Sequence, residues 1–126
     1  MDGNQVWEVE DAVHFADLIR PYEPEWFEEP IHSHDMNGIK EVCERTGMVI
    51  GFGESMRNAF AFETYAEKGV GHLMPLVGRV SAMGDLLKVR DLAREKGLMF
   101  SSGGTVWQNA SFGALYEGRE RLEHHE

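Results

Sequence analysis

Carboxylates at a repeating interval are the first feature of this sequence that could do chemistry. Trp26-Phe27-Glu28-Glu29-Pro30 sets two adjacent acids after two aromatic residues and before a proline. Asp2 lies twenty-six residues before Glu28, and Glu54 lies twenty-six after it. Carboxylates beside Trp and Phe are costly to bury unless a cation or a donor set compensates. A divalent cation with oxygen ligands is the natural compensation. With twenty-two Asp and Glu residues in the chain, three unrelated acids remain the plainer account.

That spacing constrains the elements that would position the acids. Met1-Asp2-Gly3-Asn4, Trp26-Phe27-Glu28 and Val49-Ile50-Gly51-Phe52-Gly53-Glu54 are strand-like runs, each with an acid near its end. The interval suits one strand, a loop and a helix with its return. Three such units in a parallel barrel would converge at the C-terminal mouth, where these folds place their chemistry. A strand has a side-chain period of two, so Glu28 and Glu29 point to opposite faces. One can aim at the mouth while the other turns toward the surrounding layer.

Between the runs the sequence predicts helices. The first covers 8–22, with Val9, Ala12, Val13, Ala16, Leu18 and Ile19 as its apolar face and Pro21 and Pro24 at its end. The second covers 36–46, with Asp35 as N-cap and Gly47 as its stop. A third covers 59–68 and ends at Gly69. The longest is capped by Ser81 and runs to about Lys96, with Leu86, Leu87, Val89, Leu92 and Ala93 inward and Gly97 ending it. A last helix is expected from about Asn109 to Leu122, after strands at 48–52, 71–76 and 98–101. Leu122 to Glu126 reads as a tail resembling tag sequence, which leaves 1–121 as the domain.

The motifs Asp2-Gly3-Asn4-Gln5-Val6-Trp7, Trp26-Phe27-Glu28-Glu29-Pro30-Ile31, Gly51-Phe52-Gly53-Glu54-Ser55 and Val77-Gly78-Arg79-Val80 carry a resemblance. They resemble the mandelate racemase/muconate lactonizing enzyme group of the enolase superfamily, from residue 1 to about 115. The resemblance implies an α/β fold, a partial (β/α)8 TIM barrel: roughly a half-barrel of parallel strands with outer helices. A complete barrel takes about 250 residues, and this chain has 126. The family's N-terminal capping domain and first two barrel strands have no counterpart in it. The resemblance also implies that Asp2, Glu28 and Glu54 bind Mg2+. Where many members carry an Asp and a His acting together as general base, this chain has Leu76 and Gly103. Neither moves a proton, and the family's Lys base belongs to the part without a counterpart. The implied parent activity is abstraction of the α-proton of a small carboxylate or sugar acid through a metal-stabilised enediolate. Dehydration is favoured over racemisation or epimerisation because the Asp-His pair is absent. The alternative is a catalytically silent barrel piece that only folds or associates.

Other residues have narrower readings. Asn4, Arg57 and Ser102 are candidate substrate contacts, and Ser101-Ser102-Gly103-Gly104 could offer backbone amides to an anion or simply form a turn. Arg79 is expected in a structural ion pair. His32, His34 and Asp35 have zinc-like donors but lack the ordered further ligands of a structural zinc site. Cys43, on an apolar helix face, reads as core, and as the only cysteine it excludes an internal disulfide. A reducing cytoplasm is the matching compartment. No apolar run approaches the roughly 18 residues of a membrane span. The net charge of −10 argues against nucleic acid and anionic membranes as partners. Four strands with open edges lead to an expected homo-oligomer, a dimer whose two halves close an eight-stranded barrel.

Overall fold

Phe27, Ile50, Phe52, Leu73 and Phe100 are buried and alternate with residues of another character, the period-two signature of a strand. They lie on β1 (Phe27–Glu28), β2 (Ile50–Phe52), β3 (His72–Leu73) and β4 (Met99–Ser102). With β5 (Arg121–Leu122) these form one parallel sheet in chain order. The register pairs Glu28 with Gly51, Gly51 with His72 and His72 with Met99. A single parallel bridge from Asp2 to Glu28 adds the end of a further strand beside β1. This computed structural model describes residues 1–118 and 120–123.

Five helices flank the sheet: α1 (Val9–Ile19), α2 (Met36–Thr46), α3 (Ala59–Glu67), α4 (Met83–Lys96) and α5 (Val106–Gly113). The alternating strand residues meet them. Phe27 packs on Phe15 and Trp7, Phe52 on Tyr65, and Phe100 on Phe112 and Tyr116, at centroid separations of 5.7, 5.5, 5.4, 6.4 and 5.7 Å. Each buried Phe is worth about 1.5–3 kcal/mol. The chain is thus a half-barrel of five parallel strands flanked by helices, a partial (β/α)8 barrel.

Trp26 and His72 occupy the opposite, concave face, with their rings edge-on at 4.8 Å. Arg121, at the start of β5, makes an ion pair with Glu25, just before β1, and its guanidinium lies 5.6 Å from the Trp26 ring centre. The two edge strands are therefore bridged across that face.

Local signals were mostly sound. Asp35 caps α2, its carboxylate accepting from the Gly38 N–H at 2.9 Å, and Gly47 ends it at φ 61. Four expectations are corrected. Leu18 is 57% exposed, because it falls well off the stripe defined by Ala12 and Ala16; Phe15 packs inward instead. Ser81 does not cap α4: Ala82 holds that position, and the Ser81 hydroxyl donates to the Arg57 carbonyl. The last helix ends at Gly113, and Leu122, expected in a tail, lies in β5 against Gly113. Residues 124–126 of that tail lie outside the described residues. Finally, five strands replace four, so two copies would supply ten and the eight-stranded closure does not follow. No helix among the described residues is long and apolar enough to cross a membrane.

Candidate functional site

Parallel strands deliver their C-terminal ends to one rim, where Asp2 and Glu28 lie side by side and the charge of Glu123 reaches Glu28. Asp2 is exposed, and its carboxylate accepts from the Asn4 N–H at 2.8 Å. Glu28, paired to Asp2 through the backbone bridge, is half-buried and accepts from the Trp26 indole N–H at 3.2 Å. Burial holds the Glu28 carboxyl above the usual range; the indole opposes this, and the charges of Asp2 and Glu123 reinforce it. Glu123 follows β5.

Glu123 is the residue that sequence reasoning missed, because it was assigned to the tail. Leu76 and Gly103, the two positions without a base, are bridged to each other. A Cβ built on Gly103 would sit 2.7 Å from Leu76 Cδ2 and collide with a Glu123 carboxylate oxygen. The space beside Gly103 is occupied by a carboxylate from the next strand. Its sequence signal was available: Leu122-Glu123 falls at about the interval separating the other strand ends.

Glu54 is half-buried in the turn after β2, and its charge acts on Glu29. Glu29, as the strand period required, turns into the outer layer and is 1% exposed. Its carboxylate accepts from the Gly53 N–H at 3.0 Å and from the Gln5 side chain. Burial pushes its carboxyl up to about 7. Gly53 itself, at φ 153, has no room for a side chain: a Cβ would lie 2.6 Å from the Phe62 ring and 2.7 Å from the Met74 carbonyl.

All the candidate donors are hard oxygens, the type suited to Mg2+. Crowding of like charge around Glu28 suits a cation. Among the described residues, however, no three His, Cys, Asp or Glu side chains are gathered closely enough to hold a metal ion. Asp2 and Glu28 are neighbours, and Glu54 is not brought in with them.

Zinc at His32, His34 and Asp35 is likewise not assembled. His34 Nδ1 engages the Ser33 hydroxyl, His32 Nδ1 accepts from the His34 N–H, and Asp35 caps α2. Ser102 is fully buried with its hydroxyl bonded to Asn109 and Tyr116, so it faces the helices. The Gly103 N–H donates to the Pro75 carbonyl at 3.1 Å, so that amide serves the turn. Asn4 and Arg57 are exposed at the rim. Arg79 is exposed too and forms no ion pair among the described residues, contrary to expectation. Cys43 is half-buried against the core, and burial pushes its thiol up to about 12.

His72, on the concave face, was not singled out from the sequence. It is fully buried; Nε2 pairs with the Ser101 hydroxyl, and Nδ1 has no partner among the described residues. Burial pulls its pKa down to about 4, so the ring is neutral near pH 7.

The whole sequence, residues 1–126, matches the family described as "Enolase C-terminal domain-like". It is 27% identical over 105 residues to 3,6-anhydro-alpha-L-galactonate cycloisomerase of Streptomyces coelicolor, covering 82% of this chain and 29% of that protein. It is 25% identical over 130 residues to L-talarate/galactarate dehydratase of Salmonella typhimurium, covering 100% of this chain and 32% of that protein. Two crystal structures are similar. L-talarate dehydratase from Polaromonas sp. JS666, complexed with Mg and L-glucarate, superposes with a TM-score of 0.88 at 26% identity, over 99% of this chain and 34% of that one. A racemase from Streptomyces coelicolor A3(2) with bound magnesium gives 0.91 at 25% identity, over 98% and 35%. The chain spans about a third of the length of the curated relatives it matches.

Proposed function

Because this chain belongs to the enolase superfamily, as part of its C-terminal barrel domain, we propose that it supplies the metal-ligand rim of a Mg2+-dependent enzyme acting on a sugar acid. Dehydration is the favoured reaction, with racemisation or epimerisation the alternative outcome. Asp2, Glu28 and Glu54 are the residues that would hold the cation. The observation carrying this reading is a half-buried Glu28 carboxyl at the strand end, raised first by burial and further by the charges of Asp2 and Glu123, which a cation would relieve. Relatives that act on talarate and galactarate support a sugar diacid as substrate class.

Mg2+, when bound, would neutralise the substrate carboxylate and stabilise the charge that develops when the α-proton leaves. The residues of the chain divide the remaining work. Trp26 holds the Glu28 carboxylate in place through its indole N–H. Leu76 and Gly103 carry no proton. Glu123, whose carboxylate fills the space beside Gly103, is the group we propose to take one. In the dehydration, Glu123 removes the α-proton, the electron pair forms the Cα–Cβ double bond, and the β-hydroxyl departs. Returning the proton to that hydroxyl releases water and regenerates the carboxylate. Arg57 and Asn4, exposed at the rim, are available to the distal hydroxyls or carboxylate.

Titration of wild type and Glu28→Gln with MgCl2 by calorimetry tests the ligand assignment. Loss of binding in the variant is expected; equal binding in both would discard it. Absence of turnover in the isolated chain is the companion expectation, because the rim lies open to water. Dehydration of galactarate by pure protein, abolished by Glu54→Gln, would overturn that second reading and favour an enzyme complete in itself.

A further inference from the structure

Asn4 and Gln5 are consecutive residues in left-handed backbone, at φ 47 and 61. Residues with a side chain seldom adopt it, and such strain persists where the surroundings over-determine it. What determines it is visible in the contacts of Gln5. Its amide nitrogen donates to the Glu29 carboxylate and to the Ser55 hydroxyl oxygen, the latter at 2.9 Å. Its amide oxygen accepts from the Ser33 N–H at 3.0 Å. Its backbone N–H donates to the Glu29 carbonyl at 2.7 Å. Glu29, itself at φ 36, accepts from the Gly53 N–H through its second oxygen. The Tyr65 hydroxyl fixes Ser33 from below, donating to its carbonyl at 2.9 Å.

These bonds join three segments that are remote in sequence. One follows Asp2, one follows Glu28, and one flanks Glu54 between Gly53 and Ser55. Loops of this kind are mobile unless something ties them. One side-chain amide touches all three.

We propose that Gln5 and Glu29 form a positioning buckle that sets the mutual placement of the three acid-bearing loops, so that Gln5 governs divalent-cation affinity without touching the cation. This rests on the Mg2+ reading above and names the residues that would prepare that site. The pair is complementary in one way only: an amide donor faces a carboxylate acceptor, whereas two carboxylates would repel. Exchanging the two residues keeps the amide–carboxylate pair. A carboxylate at position 5 still accepts from the Ser33 N–H, the Ser55 hydroxyl turns from acceptor to donor toward it, and an amide at position 29 donates to it while its oxygen accepts from Gly53.

Three proteins decide the matter: wild type, Gln5→Glu, and the exchanged pair Gln5→Glu/Glu29→Gln. MgCl2 is titrated by calorimetry at about pH 8.5, where carboxyl groups are ionised. Amide hydrogen exchange at Ser33, Gly53 and Ser55 is followed separately in EDTA. Gln5→Glu is expected to bind Mg2+ about 10–100-fold more weakly, the usual cost of losing a group that orients a metal ligand. Its three amides exchange faster while the far-ultraviolet circular dichroism is unchanged. The exchanged pair restores both readouts. Unchanged affinity in folded Gln5→Glu, unchanged exchange, or an exchanged pair as weak as the single variant would each overturn the buckle. If Gln5→Glu does not fold, the exchanged pair decides alone: wild-type affinity supports the proposal and weakened affinity refutes it. A wild-type chain that binds no Mg2+ removes the cation reading and the affinity claim with it; the exchange measurement then judges the coupling of the loops independently.

Discussion

At the scale of single residues, two buried titratable groups work against each other. Glu29 is raised from 4.5 to about 7 in the folded chain, so the folded state binds the extra proton in that window. Its contribution is complete below about 4.5 and is lost as pH rises through about 7. His72 is lowered from 6.5 to about 4, so the unfolded state binds the extra proton there. Its contribution is complete above about 6.5 and is lost as pH falls through about 4. The two slopes oppose each other across the overlap of these windows. Urea denaturation in EDTA at several pH values should therefore show a muted dependence in wild type. Glu29→Gln should unmask stability that rises with pH, and His72→Asn stability that falls. A Glu29→Gln variant as flat as wild type would contradict this account. The divergence of Glu28 and Glu29 was legible from strand period alone. His72 was not, because nothing local marks a histidine that the sheet register places on a concave face.

Elements were readable where a local signal decides them. The Asp35 cap and the Gly47 and Gly97 stops are short-range devices, and each is found where the sequence put it. Asp35→Ala should cost about 1 kcal/mol, within the roughly 0.5–2 kcal/mol range of such caps, read as a shift of the thermal midpoint. A loss well outside that range would mean that Asp35 does more than cap. Elements whose limits are set by tertiary packing were misread. Ser81 looks like a cap in sequence, yet the Arg57 carbonyl claims its hydroxyl. The last helix was drawn through Gly113 and Gly118 into Leu122, although glycine is a poor helix interior. That error hid β5, and with it Glu123.

For the whole molecule, β5 is the decisive addition. It lies at one margin of the sheet with both residues exposed, and among the described residues it pairs only with β4. A margin of this kind offers unpaired N–H and C=O groups to another chain. Self-association is the expected outcome, although ten strands from two copies do not make the eight-stranded closure that four strands suggested. Size-exclusion chromatography with light scattering over a concentration series should give a species heavier than 14.3 kDa. A concentration-independent monomer that melts cooperatively would end this expectation.

The ion pair between Arg121 and Glu25 also orders events in time. Its partners are 96 residues apart in the chain. Every strand pairing in the sheet, by contrast, joins consecutive strands. During synthesis each new strand can add to the one before it as soon as its helix has emerged, since domains and their parts fold as they leave the ribosome. Contacts of large sequence separation come late, because the intervening loop must first be closed. The guanidinium that caps Trp26 thus arrives last, and until then the concave face of the nascent sheet, with Trp26 and His72 on it, stays open.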